Sequence, residues 1–252
     1  MTEHKVNVLE DIANRIRIWS VKMTEASKSG HTTSSTSIAD ILAVLFFDST
    51  GMHYNPKNPK NLLNDKVVLS KGHACPALYA AWAETWFLAK EELLKLRKLD
   101  SYLEGHPTFR NPFIDVATGS LGQGICMAAG MAYSAKYFEK RNIKIFCILG
   151  DGEMSEGSVW EAIQFAHFYK LNNFITIVDV NKLGQSQNTP YKHEMEFIEG
   201  RFKSFGASTK IIDGHNIVQI IEALKIARRE RKTHSNTCKN YKRKESHRRS
   251  RR

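Results

Sequence analysis

The chain has 252 residues, of which 42% are apolar and 25% are charged. This length allows a sizeable buried core, in one large α/β domain or two modest ones, and excludes a disulfide-stabilised mini-protein. No apolar run approaches the roughly 18 residues of a membrane span, and the first residues lack the apolar core of a signal peptide. The four cysteines show no C-x-x-C spacing, which favours reduced thiols in a cytoplasmic protein over a disulfide framework or a zinc site.

The net charge of +11 comes from one end of the chain. Residues 225–252 carry 13 Lys or Arg and 2 Asp or Glu, whereas residues 1–224 carry 24 of each sign. The net positive charge therefore says nothing about the surface formed by residues 1–224, and it is weak evidence for nucleic-acid binding.

Apolar periodicity predicts an alternation of helices and strands. In chain order the predicted elements are a helix over 6–27, a helix from Ile38 to Phe47 capped by Ser37, a strand over Lys66–Ser70, a helix over 122–139, a strand over Ile143–Leu149, a helix over 156–169, strands over Phe174–Val180 and Thr209–Ile212, and a helix over 216–229. Strands separated by helices indicate an α/β fold with a doubly wound parallel sheet, whose ligands bind outside the carboxyl ends of the strands.

The apolar pattern stops after about Arg229. No apolar run between Lys232 and Arg252 is long enough for a core strand, so we expect this basic tail to be disordered and dispensable for folding. The predicted organisation is an α/β domain over residues 1–231 and a disordered tail over residues 232–252.

The strongest chemical signal is the Gly-Asp-Gly-Glu sequence at residues 150–153. Asp151 follows a predicted strand, and Asn181 follows the next one, so the two lie at neighbouring strand ends. A carboxylate and an amide oxygen, with the backbone of Leu183, would supply hard oxygen ligands for Mg²⁺ beside a diphosphate. The alternative is a tight strand-to-helix turn in which Asp151 serves as a cap.

Several segments resemble the transketolase family. The thiamine diphosphate motif of that family is similar to Gly150–Ala162 and Asn181–Ser186, and further segments match in family order: Ser29–His31, Leu69–Ala74, Gly105–Pro107 and Asp115–Gly124. The similarity runs from about Leu9 to about Ala227 and is closest to animal-type members. It implies the N-terminal, diphosphate-binding domain of the thiamine diphosphate-binding fold.

The resemblance implies a set of cofactor and metal ligands. Asp151, the side chain of Asn181 and the carbonyl of Leu183 would hold Mg²⁺, and Gly152 and Asn181 would also contact the diphosphate of thiamine diphosphate. Further cofactor contacts would come from Ser34, His73, Gly119, Ser120 and Leu121. For His73 the alternative is a local hydrogen-bonding role, and for the glycines it is close packing.

The resemblance also implies three catalytic residues. His31 and His106 match histidines on the substrate side, and imidazole suits proton transfer at neutral pH. Glu156 matches an acid at the dimer interface that relays toward the partner's cofactor glutamate. The alternatives are satisfied surface histidines and a helix-capping acid. Thr32 stands where the family usually has proline after the histidine, which removes no reacting group.

The implied activity is a Mg²⁺-dependent transfer of a two-carbon ketol unit from a ketose phosphate to an aldose phosphate, as in the pentose phosphate pathway. The family is homodimeric, and the glutamate that activates its cofactor lies in a second domain with no counterpart here. The strand, lysine and substrate histidine that follow the last helix in the family also have no counterpart, so we expect a truncated domain that lacks its last strand.

Two other functions remain open. The chain is alternatively a non-catalytic cofactor-binding fragment that pairs with or regulates a full-length subunit. A third hypothesis is nucleic-acid binding through the basic tail, but the chain has no recognised binding motif for it.

Overall fold

The computed structural model describes residues 2–181, 194–229 and 234–239. Eight α-helices and five strands lie in these ranges. The helices are α1 (Glu3–Ala26), α2 (Thr32–Ser37), α3 (Ala39–Phe47), α4 (Cys75–Glu84), α5 (Gln123–Tyr133), α6 (Gly157–Phe168), α7 (Met195–Ser204) and α8 (Ile217–Arg229). The strands are β1 (Lys66–Leu69), β2 (Ile145–Gly150), β3 (Phe174–Val180), β4 (Ser208–Asp213) and β5 (His234–Lys239).

The five strands form one sheet in the order β1-β2-β3-β5-β4, and every neighbouring pair is parallel. Residues of β2 alternate between the two faces. Phe146 and Ile148 belong to the core cluster that contains residues of α1, α3, α4 and α8, whereas Cys147 and Leu149 belong to the cluster that contains residues of α5, α6 and α7. Helices therefore cover both faces, and the predicted doubly wound α/β fold is confirmed.

Most predicted elements agree with the structure to within a few residues, but the sequence pattern missed α2, α4, α7 and β5. The sequence pattern missed α4 because all ten of its residues are buried, so the helix has no polar face to produce a periodic signal. It also missed α7, although Met195, Ile198 and Phe202 bury one face of that helix at helical spacing.

Ser37 was wrongly predicted to cap the helix that follows it. The structure places Ser37 at the end of α2, and its hydroxyl donates a hydrogen bond to Oδ1 of Asp179 at 2.7 Å. The residue at the N-cap position before α3 is Ile38, which makes no side-chain cap. Ser37 is itself the last helical residue of α2, so it does not occupy the N-cap position of α3, and its hydroxyl instead donates to a buried carboxylate.

Among the described residues, no helix is both long enough and apolar enough to cross a membrane. Cys75, Cys126 and Cys147 are free thiols.

The structure corrects the expectation that no strand follows Lys232. Strand β5 lies between β3 and β4 and pairs with both in parallel, with Ile177 and Lys210 opposite the same residue, Asn236. Backbone groups make these ladders, so a strand in this position does not require an apolar sequence. The domain therefore extends at least to Lys239, and the predicted disorder of residues 240–252 lies outside the described residues.

The pairing of β5 with both of its neighbours predicts that this strand raises the thermal stability of the domain. A chain ending at Arg229 should have a thermal midpoint at least about 10 °C below that of a chain ending at Lys239, because β3 and β4 would lose their shared neighbour. Circular dichroism melts of the two chains would measure the difference. Equal midpoints would show that β5 adds nothing to the fold.

Candidate active site

The candidate site lies at the carboxyl edge of the sheet. Leu69 at the end of β1 pairs with Ile148, and Gly150 at the end of β2 pairs with Asp179 near the end of β3. Because the strands are parallel, the residues that follow them meet at one edge. The structure thus places Asp151 and Asn181 after neighbouring strands, as predicted, with the 70–73 turn beside them.

His31, Ser34 and His73 form one group at this edge. The Ser34 hydroxyl lies 2.9 Å from Nε2 of His73. The rings of His31 and His73 meet edge to face, with centroids 4.9 Å apart. Ser34 is buried, His73 is half-buried and His31 is exposed. The start of α2 and the turn after β1 therefore bring together residues that are about forty positions apart in the chain.

His106 and Gly119 lie next to this group. A Cβ built on Gly119 would be 3.5 Å from the His106 ring, and one built on Gly72 would be 2.8 Å from Oγ1 of Thr118. Only glycine at position 72 allows the 118–119 segment to approach the turn this closely. His106 and the turn that contains His73 therefore both lie against that segment.

Partial burial and nearby positive charge favour the neutral form of His73 and His106. Burial lowers the pKa of His73 to about 4, helped by the charge of Lys71 and by His31 and His106, while Asp179 opposes the shift. The pKa of His106 is lowered by burial, Arg97 and His31. A neutral imidazole has one nitrogen that donates and one that accepts, which suits proton exchange with a bound hydroxyl or amine.

The predicted metal ligands are only partly described. Asp151 is 3% exposed and accepts the Gly152 N–H, and Asn181 is half-buried. Leu183 lies outside the described residues. In the described part of the chain, no three His, Cys, Asp or Glu side chains form a group that could hold a metal ion. A metal here would depend on amide or carbonyl oxygens, as in the predicted set, which contains a single carboxylate.

The other predicted site residues lie on the accessible side of this edge. Gly152 is half-buried, and Ser120 and Leu121 are exposed next to Gly119. Glu156 is the residue immediately before α6 and is exposed. It makes no side-chain hydrogen bond to the helix, so the capping alternative has no support from this geometry.

Sequence reasoning missed a buried ion pair between Lys71 and Asp179. Both side chains are fully buried, and Lys71 Nζ lies 2.5 Å from Oδ2 of Asp179. Burial raises the pKa of Asp179, but the charge and hydrogen bond of Lys71, with hydrogen bonds from Ser37 and Asn181, leave it below its ordinary value. An acid inside the apolar strand β3 and a lysine two residues after β1 were the signals available, since buried charges require partners.

Sequence reasoning also missed the structural role of Glu153 in the site. Its carboxylate accepts hydrogen bonds from Ser70 Oγ at 2.6 Å, Gly122 N at 2.9 Å and Gly150 N at 3.0 Å. Burial raises the pKa of Glu153, although these donors oppose the shift. The carboxylate thus joins the ends of β1 and β2 to the turn before α5.

Gly122 in that turn has a φ of +79°. A Cβ at this position would come within 2.4 Å of the Ser158 hydroxyl and 2.9 Å of Glu156 Cβ. Both the left-handed backbone and the close approach require glycine. The turn is therefore held rigidly against the start of α6.

The substitution Glu153→Ala should lower the free energy of unfolding by about 3 kcal/mol, because three buried donors lose their acceptor. Denaturant unfolding would measure the loss. Glu161→Ala, which removes an exposed acid from α6, is the matched control and should change stability by less than about 0.5 kcal/mol. Equal stabilities of the two variants would contradict this role of Glu153.

Comparison with known proteins agrees with this geometry. The sequence profile described as transketolase, thiamine diphosphate binding domain, matches residues 8–239, which includes β5. Human transketolase is 52% identical over 221 residues, covering 88% of this chain and 35% of that protein. Transketolase-like protein 2 of Mus musculus is 51% identical over 218 residues, covering 86% and 34%.

A solved structure shares the fold. Transketolase from Campylobacter jejuni superposes with a TM-score of 0.86 at 34% sequence identity, covering 93% of this chain and 38% of that one. The chain thus spans little more than a third of the length of the relatives it matches. Since the family profile covers most of the chain and the fold agrees, this protein belongs to the transketolase family and contains its thiamine diphosphate-binding domain.

Proposed function

We propose that this chain supplies the metal- and diphosphate-binding side of a transketolase active site. The reaction is the transfer of a two-carbon ketol unit from a ketose phosphate to an aldose phosphate. The observation that carries the proposal is the meeting of Asp151, Asn181 and the histidine group at one edge of the sheet.

Mg²⁺ is proposed to bind Asp151, the side-chain oxygen of Asn181 and the carbonyl of Leu183. The donor set fits the ion, because Mg²⁺ prefers carboxylate, amide and carbonyl oxygens. The near-complete burial of Asp151 also fits, since a carboxylate at 3% exposure is stabilised by a bound cation.

Thiamine diphosphate is proposed to contact Ser34, His73, Gly119, Ser120, Leu121, Gly152 and Asn181. When bound, it supplies the carbon nucleophile and the electron sink for breaking the carbon–carbon bond of a ketose. Gly152 and Gly119 allow the backbone to approach a ligand closely. His73, neutral and in contact with Ser34, can hydrogen-bond a polar group without placing a charge beside it.

His31 and His106 are proposed to bind sugar hydroxyls and move protons. His31 is exposed beside His73, and His106 lies against Gly119 close enough to His31 for the two to affect each other's charge, so both can reach one substrate. A neutral His106 at pH 7 can take a proton from a hydroxyl as a general base.

The location of the chain and its partner subunit are proposed as well. We propose that the domain works in the cytoplasm within a homodimer or paired with a full-length subunit, and that Glu156 relays toward the partner's cofactor glutamate. The exposure of Glu156 and its lack of a capping bond support that assignment. The alternative is a non-catalytic fragment that binds the cofactor and regulates a full-length subunit.

Calorimetry tests the metal site. In Mg²⁺ the chain should bind thiamine diphosphate weakly, and Asp151→Ala should weaken binding at least about tenfold because the carboxylate ligand is lost. With a chelator the two proteins should bind equally. Asp11→Ala, which removes an exposed acid from α1, is the control. An unchanged affinity in Asp151→Ala would reject the metal assignment.

An activity assay separates the two proposed functions. The resemblance assigns the cofactor-activating glutamate to a second domain, so the 252-residue chain alone should give no measurable ketol transfer. Addition of a separately made second domain should restore some turnover if the chain is the catalytic half. Turnover by the unaided chain that is abolished by His73→Ala would overturn the requirement for that glutamate, and a lack of rescue would favour the regulatory fragment.

A further inference from the structure

We propose that Asp179 is a positioning residue that orients the side-chain amide of Asn181, so that the amide oxygen is presented to Mg²⁺. The inference rests on the proposed metal site. It adds a residue that lies inside strand β3 and is fully buried, out of reach of any ligand.

The orientation follows from a single hydrogen bond. Nδ2 of Asn181 lies 2.9 Å from Oδ2 of Asp179. An ionised carboxylate can only accept, so the amide end that faces it must be the NH₂ group. Because the amide is planar, its oxygen then points along the other branch, away from Asp179. That oxygen is the only atom of the side chain with lone pairs suited to Mg²⁺.

The Asp179 carboxylate is itself fixed by residues from two other elements. Lys71, from the turn after β1, donates to Oδ2, and Ser37, from the end of α2, donates to Oδ1 at 2.7 Å. With Asn181 bound as well, the carboxylate cannot rotate without breaking a charge-assisted hydrogen bond. The orientation of Asn181 is therefore set before any metal arrives.

Lys71 connects this arrangement to the histidine group. Its Nζ also donates to the backbone carbonyl of Ser34 at 3.3 Å, and Ser34 contacts His73. One buried ion pair thus relates the position of a proposed metal ligand to that of a proposed cofactor contact. A buried ion pair by itself is weak evidence for a role in stability, which leaves positioning as the function that this geometry supports.

A matched pair of double variants separates positioning from charge. Lys71→Met/Asp179→Asn and Lys71→Met/Asp179→Leu both remove the ion pair and carry the same net charge. The Asn variant keeps an oxygen that can accept from Asn181 and an NH₂ group that can donate to the Ser37 hydroxyl. The Leu variant has a similar volume but no acceptor.

The readout is the Mg²⁺ dependence of thiamine diphosphate binding by the full chain, measured by calorimetry. The Leu variant should bind between about 10 and 100 times more weakly than the Asn variant, the range found when the support of a metal ligand is removed. Thermal midpoints without Mg²⁺ check that both variants fold, and the Leu variant should melt a few degrees lower because the donors at Ser37 and Asn181 lose their acceptor. Equal Mg²⁺ affinities of the two variants would overturn the proposal.

Asn181→Ala distinguishes a failure of the positioning role from a failure of the metal site. If it weakens Mg²⁺-dependent binding while the double variants are equal, the metal site stands and the positioning role of Asp179 is wrong. If Asn181→Ala leaves the affinity unchanged, the metal site and the positioning role both fail.

A measurement on the unmodified chain covers the case in which a variant does not fold. Without Mg²⁺, one Hδ2 proton of Asn181, assigned by its absence in Asn181→Ala, should resonate well downfield and exchange slowly because it is bonded to a carboxylate. Two Hδ2 protons with ordinary shifts and fast exchange would overturn the proposal.

Discussion

The parallel direction of all five strands is the constraint on which the site depends. In a parallel sheet every connection runs over a face of the sheet, from the carboxyl end of one strand to the amino end of the next. The carboxyl ends of all the strands therefore lie at one edge. The turns after β1, β2 and β3 then present the 70–73 segment, Asp151 and Asn181 side by side. No single turn contains the site, and none would be functional alone.

Charges buried beneath this edge hold the turns in place. Lys71 and Asp179 connect β1 to β3, and Glu153 connects both β1 and β2 to the turn before α5. Removing such groups from water is costly, and the cost is offset only when every donor and acceptor finds a partner. The arrangement makes the position of each turn depend on the others, which suits a site assembled from distant segments.

Strand β5 differs in its amino-acid sequence from the other strands inside the sheet. The strands β2 and β3 are buried along their whole length and read as apolar runs. The sequence of β5, His-Ser-Asn-Thr-Cys-Lys, has no such run, yet its backbone fills the place between β3 and β4. Two open backbone edges facing each other form a stronger requirement for pairing than the apolar character of the strand that pairs.

The sequence alone determined the alternation of helices and strands, the parallel α/β class and the placement of Asp151 and Asn181 at neighbouring strand ends, because these depend on local periodicity and on residues adjacent to a strand. Tertiary structure decided the rest. Lys71 meets Asp179 across 108 positions and Ser70 meets Glu153 across 83, while β5 pairs with strands that its own sequence does not resemble. Which distant groups share a buried space, and which backbone edges lie open, are properties of the assembled sheet, so no local pattern encodes them.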